Sequence, residues 1–321
     1  MNNSYTNISF PSFGIDFDPI RTIEIGPFSI HIYGILIGLG LMLAILYGWK
    51  RSKQFGIKAD DITDGVLWVV PFAVLCARLY YCIFRWEEGG YAADPLSVLY
   101  IWEGGLAIYG GVIGAVIGVT VYCYFKKIKL PALLDLVALG FLIGQSLGRW
   151  GNFFNREAFG AETDTFLRMG LLNSLTGAVT YHYPTFLYES LWNLVGFIAL
   201  HFLSKKRQYD GQIALGYAFW YGLGRALIEG LRTDSLYLGA FRVSQLLAAL
   251  SCLGAAMVLV VMLFKAHDPA KLFVNRPQPE EIPEEAAEET EEAAEDADET
   301  EESEEVEEND EVTEESEETE E

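Results

Sequence analysis

Residues 243–264 read VSQLLAALSCLGAAMVLVVMLF, twenty-two positions without a charged side chain. About twenty such residues in a helix cross the ~30 Å hydrocarbon core of a bilayer. Six further runs share this character: Ile30–Gly48, Val66–Phe84, Leu106–Phe125, Pro131–Leu147, Thr185–Leu203 and Ile213–Ile228. A water-soluble protein can bury one helix of this kind, but seven would leave no amphipathic helices to cover them. The pattern predicts an all-α integral membrane protein with seven transmembrane helices.

The overall composition conflicts with that reading until the charges are located. The chain of 321 residues is 51% hydrophobic and yet carries a net charge of −23. Of its 45 Asp and Glu, 26 lie between Glu280 and Glu321, where there is no Lys or Arg. The other 19 face all 22 Lys and Arg, so the rest of the chain is +3. This predicts a membrane domain over 1–279 and an acidic tail over 280–321 that is too polar to bury a core and therefore disordered. It excludes a soluble acidic domain. The first 29 residues are broken by Pro11, Pro19 and Pro27 and lack the basic-then-apolar start of a secretory signal. Cys76, Cys82, Cys123 and Cys252 all fall in apolar runs and read as small buried hydrophobes. No metal or cofactor is expected.

Basic residues orient the spans, because cytoplasmic loops collect Lys and Arg. Lys50, Arg51, Lys53 and Lys58 follow the first run; Lys126, Lys127 and Lys129 the third; Lys205, Lys206 and Arg207 the fifth; Lys265, Lys271 and Arg276 the seventh. The other side holds seven arginines (21, 85, 149, 156, 168, 232 and 242) and no lysine. The N-terminus is therefore expected outside and the C-terminus in the cytoplasm. The longest outer segment, Gly148–Pro184, exceeds a passive connector, and its Gly170–Tyr183 part reads as a short hairpin or helix.

Charged groups within a bilayer are costly and commonly mark function. Arg78 lies in the second run, Asp135 near the start of the fourth and Glu189 in the fifth. Tyr221, Arg225, Glu229 and Arg232 follow at steps of four, four and three, which places them on one helical face. Arg225 and Glu229 can pair at that spacing, and a structural ion pair is the plain alternative. The densest polar stretch is GRWGNFFNREAFG, 148–160. Gly148, Gly151 and Gly160 suit close backbone approach and left-handed turns. Arg149 offers a planar fork for phosphate. Asn152 and Asn155 supply neutral donors and acceptors, and Glu157 can orient an arginine or take a proton. An interfacial loop with an aromatic-belt Trp150 would account for Arg149 alone. The whole cluster, set against Arg225 and Arg232, reads as a site for an anionic headgroup. In WEGGLAIYGGVIGAVIG, 102–118, small residues at 110, 114 and 118 form a close-packing face. The paired glycines around Tyr109 suggest helix backbone exposed near a ligand. His31 and Tyr33, in HIYG, begin the first span at the same outer depth.

These blocks carry a resemblance. GRWGNFFNREAFG closely resembles the signature of the bacterial prolipoprotein diacylglyceryl transferases. HIYG at 31–34, GGLAIYGG at 104–111, YPTFLYE at 183–189 and YGLGRALIEGLR at 221–232 resemble further family blocks in family order. The likeness spans roughly residues 19–265. It implies a seven-helix protein of the bacterial plasma membrane, multi-pass, with its site toward the outer leaflet. It also implies transfer of the sn-1,2-diacylglyceryl group of phosphatidylglycerol to the lipobox cysteine of a prolipoprotein signal peptide, with release of glycerol 1-phosphate. Partners would be these two substrates and membrane lipids, with no nucleic acid. By the same resemblance Arg149 and Arg225 are essential phosphate binders, and Asn152, Asn155, Glu157 and Gly160 shape the site. Tyr33, Tyr221 and Glu229 line it, and Glu189 and Arg232 support it. Tyr109 departs from the pattern, since many relatives carry a histidine there that is often assigned a catalytic role.

The residues fit such chemistry. A free thiol with a pKa near ~8.5 is mostly protonated at neutral pH, and attack on the glyceryl carbon expels a phosphate. Fixed positive charge at that phosphate is the most useful contribution, which Arg149 and Arg225 could make. Of the histidines at 31, 182, 201 and 267, only His31 and His182 fall outside. His31 is the better placed to accept the thiol proton, with a hydrogen-bonded interfacial histidine as the alternative. Tyr109, at an ordinary pKa of ~10, is expected to position substrate rather than titrate. A lipid transporter or flippase, or another seven-span binding protein, would also want an arginine-lined groove, but would leave phosphatidylglycerol intact.

Overall fold

A computed structural model of the chain describes residues 5–276, apart from 27, 88, 90, 92–93, 102–103, 234–236 and 239–240. The chain divides into two units, 1–276 and 277–321. The acidic tail expected over 280–321 lies outside the described residues.

The first unit is mostly helical. Its long helices are α1 (Ile32–Arg51), α2 (Ala59–Phe84), α3 (Ile108–Phe125), α4 (Leu130–Asn155), α5 (Thr185–Ser204), α6 (Gln212–Glu229) and α7 (Val243–Leu263). Six of these, all but α6, are long and apolar enough to cross a membrane. In α6 the side chains of Gln212, Arg225 and Glu229 lower the hydropathy. The outward faces confirm the solvent. Leu67, Trp68, Ile83, Leu253 and Met257 are each at least 65% exposed. That is an untenable surface in water and an ordinary one in lipid.

The helix α4 sits at the centre, packed against α1, α5 and α6. Leu133, Leu136, Leu139 and Leu142 of α4 meet Phe55, Ile57, Tyr122, Leu200 and Ile213 in the main core. Asp135 is fully buried there, and its carboxylate accepts from the Gly211, Ile213 and Ala214 amides at 2.8–2.9 Å. It therefore caps the start of α6, where a helix leaves its first N–H groups unpaired and favours negative charge.

Several boundaries differ from the expected runs. Helix α2 starts at Ala59, ahead of Val66, because Asp60 and Asp61 suit the positive end of a helix. Helix α4 continues past Leu147 to Asn155, so GRWGNFFN is helix rather than loop. It ends in a paired turn, with Glu157 N–H donating to Asn152 O and Arg156 N–H to Phe153 O, both at 3.0 Å. The left-handed residue there is Arg156, φ 53°, whose side chain is tied to Asp18 and to Pro19 O.

The all-α expectation also needs correction. Short strands gather at the end of the bundle where α4 finishes and α5 begins. β1 (Tyr5–Phe10), β2 (Ile15–Phe17), β5 (Met169–Asn173) and β6 (Val179–His182) form an antiparallel sheet of order β2-β1-β5-β6. β3 (Thr22–Ile25) pairs with β4 (Phe28–His31) and leads into α1. β7 (Tyr237–Leu238) pairs with β8 (Phe241–Arg242) and leads into α7. The Gly170–Tyr183 part, expected as a short hairpin or helix, is the β5–β6 hairpin. Its Leu171 and Met169 join Ile8, Phe153 and Phe186 in a second core, which seats the sheet on the end of α4.

Candidate active site

The residues 148–160 divide into a helical part and a stitched part. In the helical part Arg149, Asn152 and Asn155 project from the last two turns of α4. Gly148 and Gly151 make no left-handed turn. Gly151 instead provides room for the Tyr33 ring, and a Cβ there would collide with it. Tyr33 of α1 is thereby held against the signature. In the stitched part, Ala158 is left-handed at φ 56° and Thr185 Oγ1 donates to its carbonyl at 2.5 Å. Gly160 N–H donates to Tyr183 O at 2.9 Å, and Ala161 N–H to Leu231 O at 2.7 Å. Gly160 also bridges to Arg232. A Cβ at 160 would lie 2.9 Å from Leu231 O, so only glycine admits this contact. These bonds fix the start of α5 and the end of α6 beside the end of α4.

Glu189, in the second turn of α5, is the hub. Its carboxylate lies 2.6 Å from Arg149 Nη2 and 3.2 Å from both Arg225 Nη1 and Arg232 Nη1. Glu229 lies 2.7 Å from Arg225 Nη2 and 4.0 Å from Arg232 Nε. The two carboxylates are 5% and 2% exposed, whereas Arg149 and Arg225 keep 21% and 18%. The acids therefore form the floor, and the two guanidiniums are the groups a ligand can reach. Three arginines over two carboxylates leave one positive charge, in surroundings where charge is poorly screened. Asn152 Oδ1 accepts from Arg149 at 3.4 Å. Glu157 holds the amides of Asn152 and Asn155 at 3.1 and 3.2 Å. It thus orients asparagines rather than an arginine.

The supports are equally specific. Trp150 Nε1 donates to Ser190 Oγ at 3.2 Å, and Ser146 and Ser190 exchange hydrogen bonds between α4 and α5. Trp192 and Trp220 stack at 4.5 Å, and each indole N–H donates to the other's carbonyl at 2.9 Å. Each ring lies over a glycine, Gly224 and Gly196 respectively. Beside this lock an apolar groove of about 460 Å³ opens between α5 and α6, lined by Tyr188, Leu191, Trp192, Val195, Trp220 and Leu227 among others. Sequence reasoning missed both groove and lock. The only signal was the matching Trp–Gly spacing of four in each helix.

Other expected residues make no ion pair or hydrogen bond with Glu189 or Glu229 among the described residues. Tyr221 stacks on Tyr217, whose hydroxyl accepts from Gln145 of α4 at 2.8 Å. His31 ends β4 and is exposed, and Tyr109 is 51% exposed in the first turn of α3. Among the described residues neither side chain makes a hydrogen bond. His182 is buried, with both ring nitrogens engaged by Gly160 O and Thr180 Oγ1 at 2.9 Å. Gly110 and Gly114 are packing positions, whereas a Cβ at Gly104 would meet nothing within 4 Å. A Cβ at Gly110 or Gly114 would strike Ala77 or Cys76 of α2, so backbone there meets a helix and not a ligand.

Comparison with known proteins bears on the same residues. The family model described as prolipoprotein diacylglyceryl transferase matches residues 21–261. A phosphatidylglycerol–prolipoprotein diacylglyceryl transferase of Limosilactobacillus reuteri is 41% identical over 244 residues, 74% of this chain and 88% of the relative. One from Halalkalibacterium halodurans is 42% identical over 245 residues, 74% and 83% of the two chains. One from Bacillus licheniformis is 40% identical over 260 residues, 78% and 96%.

Proposed function

The chain belongs to the prolipoprotein diacylglyceryl transferase family, and on that footing we propose that it moves the diacylglyceryl group of phosphatidylglycerol to a cysteine thiol of a prolipoprotein. The observation that carries the reading is the charge balance at Glu189: three guanidiniums over two buried carboxylates, with Arg149 and Arg225 still accessible. One net positive charge matches the phosphodiester of the lipid. As the reaction proceeds, the lipobox cysteine Sγ bonds to glyceryl C3 and the C3–O bond breaks. The electron pair leaves with glycerol 1-phosphate, whose phosphate gains a second negative charge. Groups already aimed at that phosphate bind the transition state more tightly than the diester, which is what lowers a barrier.

The thiol proton passes to a base, for which His31 is the candidate, and Tyr109 holds a phosphate or glyceryl oxygen. Asn152, Asn155, Glu157 and Gly160 keep Arg149 and the ends of α5 and α6 in place; Tyr33, Tyr221, Glu229 and Arg232 complete the wall. Helix α6 serves as a seventh span. It equals α3 in length, 18 residues, and packs between α5 and α7, with its charged groups paired toward α5. The N-terminus lies outside, the site faces the outer leaflet, and the acidic tail is cytoplasmic.

Arginine variants test the site. Arg149→Ala or Arg225→Ala should lower transfer to a lipobox peptide by ~10²–10³, measured in phosphatidylglycerol vesicles. An undiminished rate in both would refute the assignment.

A further inference from the structure

Arg78 lies in α2 and is 4% exposed. Among the described residues no carboxylate pairs with it. Among the described residues its hydrogen bonds all go to main-chain oxygens: Nε to Val98 O at 2.9 Å, Nη2 to Ser97 O at 2.7 Å, and Nη1 to Gly104 O at 2.7 Å and Gly105 O at 3.3 Å. A buried guanidinium is costly unless each donor is satisfied; here the fork meets four carbonyls at once, and its face lies 5.6 Å from the centre of the Tyr91 ring. Gly104 and Gly105 are both left-handed, at φ 88° and 69°, and in that conformation turn successive carbonyls onto one Nη1. The fit is tight. A Cβ at Gly105 would lie 2.5 Å from Nη1 and 2.7 Å from the Tyr81 ring.

The joint leads directly into α3. Ala107, its capping residue, donates its N–H to Ala77 O at 3.1 Å, one residue from Arg78 on α2. Tyr109 follows in the first turn, half exposed and without a hydrogen bond of its own among the described residues. The backbone at the start of α3 therefore sets the point from which its ring projects.

We infer that Arg78 is the positioning residue for Tyr109, acting through the Gly104–Gly105 backbone. This rests on the proposed function, in which Tyr109 holds a substrate oxygen. Lysine cannot replace Arg78, because an ammonium lacks the planar fork.

The test is a double-mutant cycle on the full chain in phosphatidylglycerol nanodiscs, with kcat and KM read separately. Arg78→Gln should lower kcat by ~10–100-fold and leave KM for the lipid within about threefold. In a Tyr109→Ala background the same change should cost no more than about twofold. A merely structural arginine would cost the same in both backgrounds, and that result overturns the inference. If Arg78→Gln does not accumulate, Arg78→Lys carries the cycle. Wild-type kcat in Arg78→Lys would also overturn it. Unchanged turnover in Tyr109→Ala alone would remove the target of the positioning. The transfer assignment would stand or fall separately, on Arg149→Ala.

Discussion

Glu189 touches three guanidiniums, at 2.6, 3.2 and 3.2 Å. Replacing it with glutamine would leave Arg225 and Arg232 on Glu229 and take from Arg149 the one carboxylate it pairs with among the described residues. Breaking a buried ion pair from one side costs roughly 3–5 kcal/mol. Glu189→Gln should therefore lose stability on that scale in a detergent melt and bind phosphatidylglycerol in an unproductive pose. A melt and a transfer rate both equal to wild type would contradict the hub. At this scale much was legible. The spacing of Arg225 and Glu229 predicts the pair they form at 2.7 Å, and the polar stretch 148–160 supplies Arg149 to the same cluster. The hub was not legible. Glu189 stands 36 to 43 residues from Arg225 and Arg232, and no local pattern reports a contact across that separation. Nor does a sequence distinguish functional from supporting charge. Asp135 and Arg78 looked like Glu189 until their hydrogen bonds showed a helix cap and a loop clasp.

Among the elements, α5 and α6 set the geometry of the hub. The reciprocal Trp192–Trp220 bonds hold them together three residues after Glu189 and five before Arg225. Gly196 allows the Trp220 ring to lie on α5. Gly196→Ala should push that ring away and destabilise the protein by ~1–3 kcal/mol, the usual result of overpacking. The transfer rate should fall with it, because Glu189 and Arg225 no longer meet. A normal rate at reduced stability would show that the lock is not needed for the site. Long apolar runs revealed the helices, since twenty residues without charge have few other uses. Their ends were less clear: α2 and α4 extend into polar sequence because caps and buried side chains, not hydropathy, decide where a helix stops. The strands were harder still. Segments of two to six residues carry too little alternation to read, and even 170–183 was legible only as a hairpin or a helix.

For the whole molecule, the proposed orientation gives a direct expectation. Alkaline phosphatase fused after Asp164 should be active, and fused after Lys58 inactive; the reverse would invert the topology. The +3 charge of residues 1–279 and the −26 of the tail belong to different tasks in this account. The first follows from insertion and from arginines kept at the site. For the second we propose no part in the transfer chemistry. The central claim is the reaction itself. Purified full-length protein should be incubated with phosphatidylglycerol and a lipobox peptide, and the peptide mass measured. The account predicts a diacylglyceryl increment on the cysteine, with glycerol 1-phosphate released in equal amount. An unmodified peptide beside intact phosphatidylglycerol would contradict it.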